Sequence, residues 1–207
     1  MNKHQAAREL IAAAKVLAYV EFESEKDQEA KGATILDVPD TRQTFPYDCG
    51  AKATQTVLAY YGIDVREDRL LKYLGTTEEG TDVKNIIKVL KRVGLEVEAG
   101  KMTVADLEKH LDEGHPIILP LQAWVDDLFE IDWQTSEGEG HYVICVGMDG
   151  KRVYFEDPAT FGKVYLSKQE FLERWHDKDE EGNVFVNYGI VAIGKSEYDH
   201  SKFTHMG

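Results

Sequence analysis

The stretch that decides the fold reads Gly140-His141-Tyr142-Val143-Ile144-Cys145-Val146-Gly147-Met148-Asp149-Gly150-Lys151-Arg152-Val153-Tyr154-Phe155-Glu156-Asp157-Pro158. Two apolar runs flank Asp149-Gly150, which signals a β-hairpin. A two-residue Asp149-Gly150 turn would set Val143 against Glu156 and His141 against Pro158, mixing apolar and charged groups on one face. A three-residue loop, Met148-Asp149-Gly150, with Gly150 as a left-handed bulge, sorts the faces. Val143 then meets Phe155, Cys145 meets Val153, Ile144 meets Tyr154, and Asp157 faces His141. A one-residue slip flips every side chain, so the apolar pattern selects the second register. Directly paired Cβ atoms lie roughly 4.5–5.5 Å apart, close enough for a carboxylate to orient an imidazole. Cys145 falls about 13 Å along the strand from His141 and reads as a core residue.

Upstream of the hairpin the pattern is mostly helical. Leu10, Ala13, Ala14 and Leu17 predict an amphipathic helix over 3–22, and a charged linker follows over 21–31. A helical stripe runs from Cys49 through Ala53, Val57, Leu58 and Tyr61 to a stop at Gly62. Short helices follow over 68–74, from a Thr81 cap to Gly94, and from a Thr103 cap to Gly114. Residues 95–98 read as a short strand, and 116–122 as a buried one. After the hairpin, 163–166 reads as a strand. Ser167 and Glu170 form a capping box opening a helix through Trp175, and 183–193 reads as one last strand. Helices first and antiparallel strands after make an α+β chain. Three parts are expected: an N-terminal helix and linker (1–32), the body (33–196) and a disordered tail (197–207).

The bulk numbers exclude several function classes. At 207 residues and 43% hydrophobic, the chain buries a core without disulfide or metal staples. A net charge of −14 argues against nucleic-acid binding and against docking on anionic membranes. Arg8, Glu9 and Lys15 interrupt any signal-peptide core, and no run approaches the roughly 20 apolar residues of a membrane span. A cytoplasmic protein with free thiols is the expectation. Neither cysteine has a CxxC partner, no histidine pair has ligand spacing, and no glycine-rich phosphate loop follows a strand. No metal and no cofactor are expected.

The segment Gln43-Thr44-Phe45-Pro46-Tyr47-Asp48-Cys49-Gly50 supplies what the hairpin lacks. A thiol attacks as a thiolate, which a helix N-terminus or a nearby imidazolium favours. Cys49 opens a helix, so it is the candidate nucleophile. His141 is the candidate general base and acid, and Asp157 its orienting group. Gln43 could donate its side-chain amide to an oxyanion, beside the Cys49 backbone N–H. Gly50 is expected to keep the approach to the sulfur open. Asp48, Gly140, Trp124 and Trp133 join Gly50 as candidate substrate contacts.

The ordered set resembles the papain-like cysteine peptidases, and within them the bacteriocin-processing peptidases that cut double-glycine leaders. It comprises Gln43, Asp48-Cys49-Gly50, Gly140-His141-Tyr142 and Asp157-Pro158, and the likeness covers about residues 35–195. The resemblance implies a papain-like fold with the nucleophile helix packed on a C-terminal antiparallel sheet. It implies peptide-bond hydrolysis through a thioester acyl-enzyme. The typical leader peptidase is fused to membrane-spanning and ATP-binding domains, which this sequence does not contain.

Two other classes fit the same residues: an amide-processing acyltransferase, and a non-catalytic peptide-binding module. The acidic, aromatic segment 123–140 either walls the cleft and favours basic or apolar peptides, or forms a surface loop. The expected partner is a peptide or protein, and the N-terminal helix is a candidate for self-association or partner binding.

Overall fold

The computed structural model describes residues 33–124, 131–203 and 205. The expected N-terminal helix and linker therefore lie outside the described residues, as do Asp126 and Asp127. Three helices come first: α1 (Cys49–Tyr60), α2 (Glu67–Leu74) and α3 (Val83–Arg92). Then follow β1 (Glu96–Lys101), α4 (Val104–Asp112), β2 (Ile117–Gln122), β3 (Gly140–Met148) and β4 (Arg152–Glu156). The chain continues through β5 (Lys163–Ser167), α5 (Lys168–Arg174), β6 (His176–Lys178), β7 (Val184–Val186) and β8 (Tyr188–Ile193). Six strands form one antiparallel sheet, ordered β1-β8-β2-β3-β4-β5, and β6 pairs with β7.

The capping expectations meet their residues with one shift. Thr103 with Asp106, and Ser167 with Glu170, form reciprocal capping boxes. The α3 cap is Asp82, not Thr81: its carboxylate accepts the Lys84 N–H at 2.6 Å. Thr81 instead shares a hydroxyl hydrogen bond with Thr76. The last expected strand is two strands. Asn187 takes φ 54° between β7 and β8, a left-handed kink that asparagine tolerates and a strand does not. β7 turns back on β6, a pairing unread in the sequence.

The core lies between α1 and the sheet. α1 is buried on nearly every face, and all six residues of β2 are buried. β8 pairs only with Ile117 and Ile118 of β2, so the far half of β2 has one edge free of ladder bonds. Pro120, which has no N–H to donate, sits in that half. Past it, Gln122 turns its amide to the Asp177 carboxylate at 3.0 Å and ties the β6–β7 hairpin to the sheet.

The hairpin register differs from the expected one. Ile144 pairs with Glu156 and Cys145 with Phe155, then Gly147 with Tyr154 and Met148 with Val153. The bulge is at Val146, not Gly150. Asp149 Oδ1 accepts the N–H groups of Lys151 and Arg152 at 2.7 and 2.8 Å, which fixes the tight turn. Leu36 donates its N–H to the Val146 carbonyl at 2.8 Å, satisfying the group that the bulge frees. A Cβ on Gly147 would lie 2.5 Å from Ile35 Cδ1 and 2.8 Å from the Thr34 carbonyl, so this close approach requires glycine. Beyond the bulge the slip is two residues, which returns each side chain to its expected face.

Among the described residues, no helix is long and apolar enough to cross a membrane.

Candidate active site

Cys49 is the first residue of α1. Asp48 precedes it but makes no side-chain cap. Its carboxylate turns back to accept the N–H groups of Thr44 and Phe45, both at 3.2 Å. The first N–H groups of the helix are therefore left without a capping carboxylate, and their partial positive charge lies at the thiol. Asp48 is fully buried, with its pKa raised chiefly by burial. Its two accepted bonds hold the turn that leads into Cys49.

His141 is the second residue of β3 and is buried. Its Nε2 lies 2.7 Å from Asp157 Oδ1. The Cys49 thiol lies near enough to act electrostatically on the same ring, whose Nδ1 is not used by Asp157. Continuing the Ile144–Glu156 register, Asp157 lies opposite Val143, so its approach to His141 is diagonal. Such same-face neighbours stay within reach of long side chains.

Burial opposes charge on the His141 ring. The Asp157 hydrogen bond and the Cys49 thiol overcome it and raise the imidazole pKa to about 10. Burial also opposes the charge on Asp157. The bonds from His141, the Ala159 N–H (2.8 Å) and Trp124 Nε1 (2.8 Å) nevertheless hold its pKa below the ordinary value. Thiol, imidazole and carboxylate thus form one connected chain.

The other expected site residues divide. Gln43 is half-buried and donates its amide to the Phe45 carbonyl at 3.0 Å, while its Oε1 is buried without a partner. Its backbone N–H binds the Pro158 carbonyl at 2.9 Å, tying the cysteine loop to the Asp-Pro turn. A Cβ on Gly50 would lie 2.9 Å from both Thr81 Cβ and Tyr142 Cδ2, so the close packing of the α1 start here requires glycine. A Cβ on Gly140 would lie 2.6 Å from Asp177 Oδ1. Trp124, expected as a cleft wall, takes φ 63° and aims its indole N–H at Asp157. Trp133 stacks under the Arg174 guanidinium at 3.9 Å. Cys145 is fully buried in the sheet, and burial pushes its thiol up to about 12.

A cleft of about 570 Å³ opens beside Cys49. Tyr47, Thr81, Gly140 and Tyr142 line it together with Cys49, and the rest of the turn 77–82 and the β6–β7 hairpin complete its walls. Sequence reasoning missed both walls, which are short, polar and without periodicity.

Residues 37–178 match the peptidase C39 family. The chain belongs to that family. Like its structural neighbours it has the papain-like α+β fold of C39 peptidase domains, and it is a cysteine-type peptidase. LagD, the lactococcin-G-processing and transport ATP-binding protein of Lactococcus lactis subsp. lactis, is 30% identical over 128 residues. That match covers 62% of this chain but only 16% of LagD. An uncharacterized protein of Methanothermobacter thermautotrophicus is 27% identical over 144 residues, covering 70% of this chain and 84% of that protein. Among solved structures, a C39-like peptidase from Bacillus anthracis superposes with TM-score 0.59 at 17% identity, covering 79% of this chain and 98% of the other. The double-glycine-motif protease of a PCAT transporter, solved with a leader peptide, gives TM-score 0.56 at 22% identity, covering 76% and 93%.

Proposed function

We propose that this C39 peptidase cleaves peptide bonds through a thioester on Cys49. Cys49 Sγ attacks the scissile carbonyl carbon, and His141 passes its proton to the leaving amine as the C–N bond breaks. Water then attacks the thioester, His141 takes the water's proton and returns it to the sulfur, and the acid product leaves. Asp157 holds the imidazole in one orientation and stabilises its charged form. The Cys49 N–H and the Gln43 amide receive the oxyanion, the latter after leaving the Phe45 carbonyl. The observation that carries this reading is the 2.7 Å His141–Asp157 bond on a buried ring that also feels the Cys49 thiol.

The cleft points to the substrate class. Glu78, Glu79, Asp82, Asp177, Asp179 and Glu180 line it, and its one basic lining residue, Lys178, is already paired with Glu137. Peptides with Lys or Arg near the scissile bond gain from that field. A peptide-library digest, with a double-glycine leader as one arm, tests the proposal. Cleavage should need Cys49, a mass shift of one acyl group should appear on Cys49, and KM for basic peptides should rise with salt. Cleavage by the Cys49→Ala chain, or acyl transfer to added amines without hydrolysis, would overturn it.

A further inference from the structure

A second cluster of chemistry-bearing side chains lies away from the thiol, where α4 turns into β2. Read along the chain, His110 and Glu113 stand three apart on one helix face, but His115 falls beyond the helix end. The turn brings them together. α4 ends in a Schellman motif: the His115 N–H bonds the His110 carbonyl at 2.9 Å, and the Gly114 N–H bonds that of Leu111 at 3.0 Å. Gly114 takes φ 83° to make it. The position that often holds an apolar contact in this motif holds a pair of imidazoles, their ring centres 6.2 Å apart.

The three side chains offer ligand atoms within 4.8 Å of one another. Glu113 Oε2 lies 3.7 Å from His115 Nδ1 and 4.0 Å from His110 Nδ1. Both Nδ1 atoms are buried and have no hydrogen-bond partner. His110 itself is only 5% exposed, so an unpartnered ring nitrogen there needs a reason. Its other nitrogen, Nε2, lies 3.5 Å from Glu98 Oε2 on β1. A carboxylate on the far side of a ring is the usual support of a metal-ligating histidine, because it fixes the lone pair on the opposite nitrogen.

We propose that His110 Nδ1, His115 Nδ1 and the Glu113 carboxylate bind a zinc-like divalent cation, with Glu98 orienting His110. Two imidazoles and a carboxylate suit zinc, and water completes the tetrahedron. Ligand atoms about 2.0–2.1 Å from zinc stand roughly 3.4 Å apart, so the three groups, within 4.8 Å of one another, close up by roughly 1.4 Å at most, with the half-exposed Glu113 side chain the freest to move. The six residue steps from His115 to Leu121, the β2 partner of His141, span roughly 20 Å of chain. The ion therefore takes no part in the thiol chemistry. It clips the α4–β2 corner and, through Glu98, the edge strand β1.

The test uses the full chain carrying Cys49→Ala, which removes the catalytic thiol as a competing ligand. Titration with Zn²⁺ by calorimetry should give one site per chain, and Co²⁺ should give the visible absorption of a tetrahedral site. His115→Ala and Glu113→Gln should each weaken Zn²⁺ binding at least tenfold, and Glu98→Gln about tenfold. His200→Ala, which removes an exposed histidine paired with Asp37, should leave it unchanged. Zn²⁺ should raise the unfolding midpoint of the Cys49→Ala chain by several degrees and leave that of its His115→Ala derivative unmoved. His110→Ala opens a buried site and can unfold the corner by itself, so the other variants carry the result. Absence of Zn²⁺ binding, binding unchanged in His115→Ala or Glu113→Gln, or loss of the site in His200→Ala would each overturn the proposal.

Discussion

Glu156 and Asp157 are adjacent, both 1% exposed, and opposite in every other respect. Strand alternation sends them to opposite faces of the sheet. Asp157 accepts hydrogen bonds from His141, Ala159 and Trp124, and its pKa lies below the ordinary value. Neither oxygen of Glu156 completes a hydrogen bond, although Asp40 and the Thr41 backbone approach. Burial, with the Asp40 charge adding to it, raises the Glu156 pKa to about 7 against the 3.6 Å Lys163 ion pair. Burial is the same at both; the partners differ. A buried carboxylate is held charged by its donors, and where donors are missing it keeps its proton.

The largest effect should come from removing the satisfied carboxylate. Asp157→Ala should lower kcat/KM about 10³-fold, and Asp157→Asn about 10-fold, because an amide still orients the ring. Asp157→Asn should also move the basic limb of the pH–rate profile downward, since Asp157 helps hold the His141 ring protonated up to about 10. An unmoved basic limb would break the link between this bond and the ring's charge.

The two thiols extend the comparison, for both are buried, and Cys49 acts on the His141 imidazole while Cys145 sits among the sheet's apolar side chains. Iodoacetamide at neutral pH should label Cys49 and spare Cys145 in the native chain. His141→Ala should slow that labelling about 10²-fold. Equal rates in the two proteins would show that His141 does not activate the Cys49 thiol. Trp124→Phe keeps the aromatic bulk and deletes one of three donors to Asp157. It should lower kcat several-fold and leave KM nearly unchanged, measured on one peptide substrate.

How much of this could be read from the sequence depends on which interactions are local. The helix starts at Cys49, Thr103 and Ser167 follow from caps and periodicity within a few residues. The faces of the 140–158 hairpin were legible for the same reason. Its register was not, because a slip of two residues returns every side chain to the same face. The bulge at Val146 is matched by the distant Leu36 N–H and the close approach of Thr34 and Ile35, and no local pattern announces either. The Trp124–Asp157 bond likewise joins residues 33 positions apart, through a left-handed backbone that tryptophan seldom adopts. Asn187, a residue prone to that conformation, was the one available signal that the last strand breaks.

The smallest effect should come from Glu156, and it tests the comparison from the other side. Its folded pKa of about 7 exceeds the ordinary 4.5, so folding takes up a proton between those values. The stability this gives is complete below about pH 4.5 and is lost as pH rises through 7. Glu156→Gln removes the titrating group and keeps the shape. Relative to the native chain, the variant should gain about 1–3 kcal/mol between pH 5 and pH 8 in urea melts, with peptidase activity unchanged. Asp177, whose pKa burial raises to about 6, titrates in the same window. It is present in both chains, so the difference isolates Glu156. If the gap between the two chains is the same at both pH values, Glu156 is ionised in the fold, and burial without donors does not separate it from Asp157.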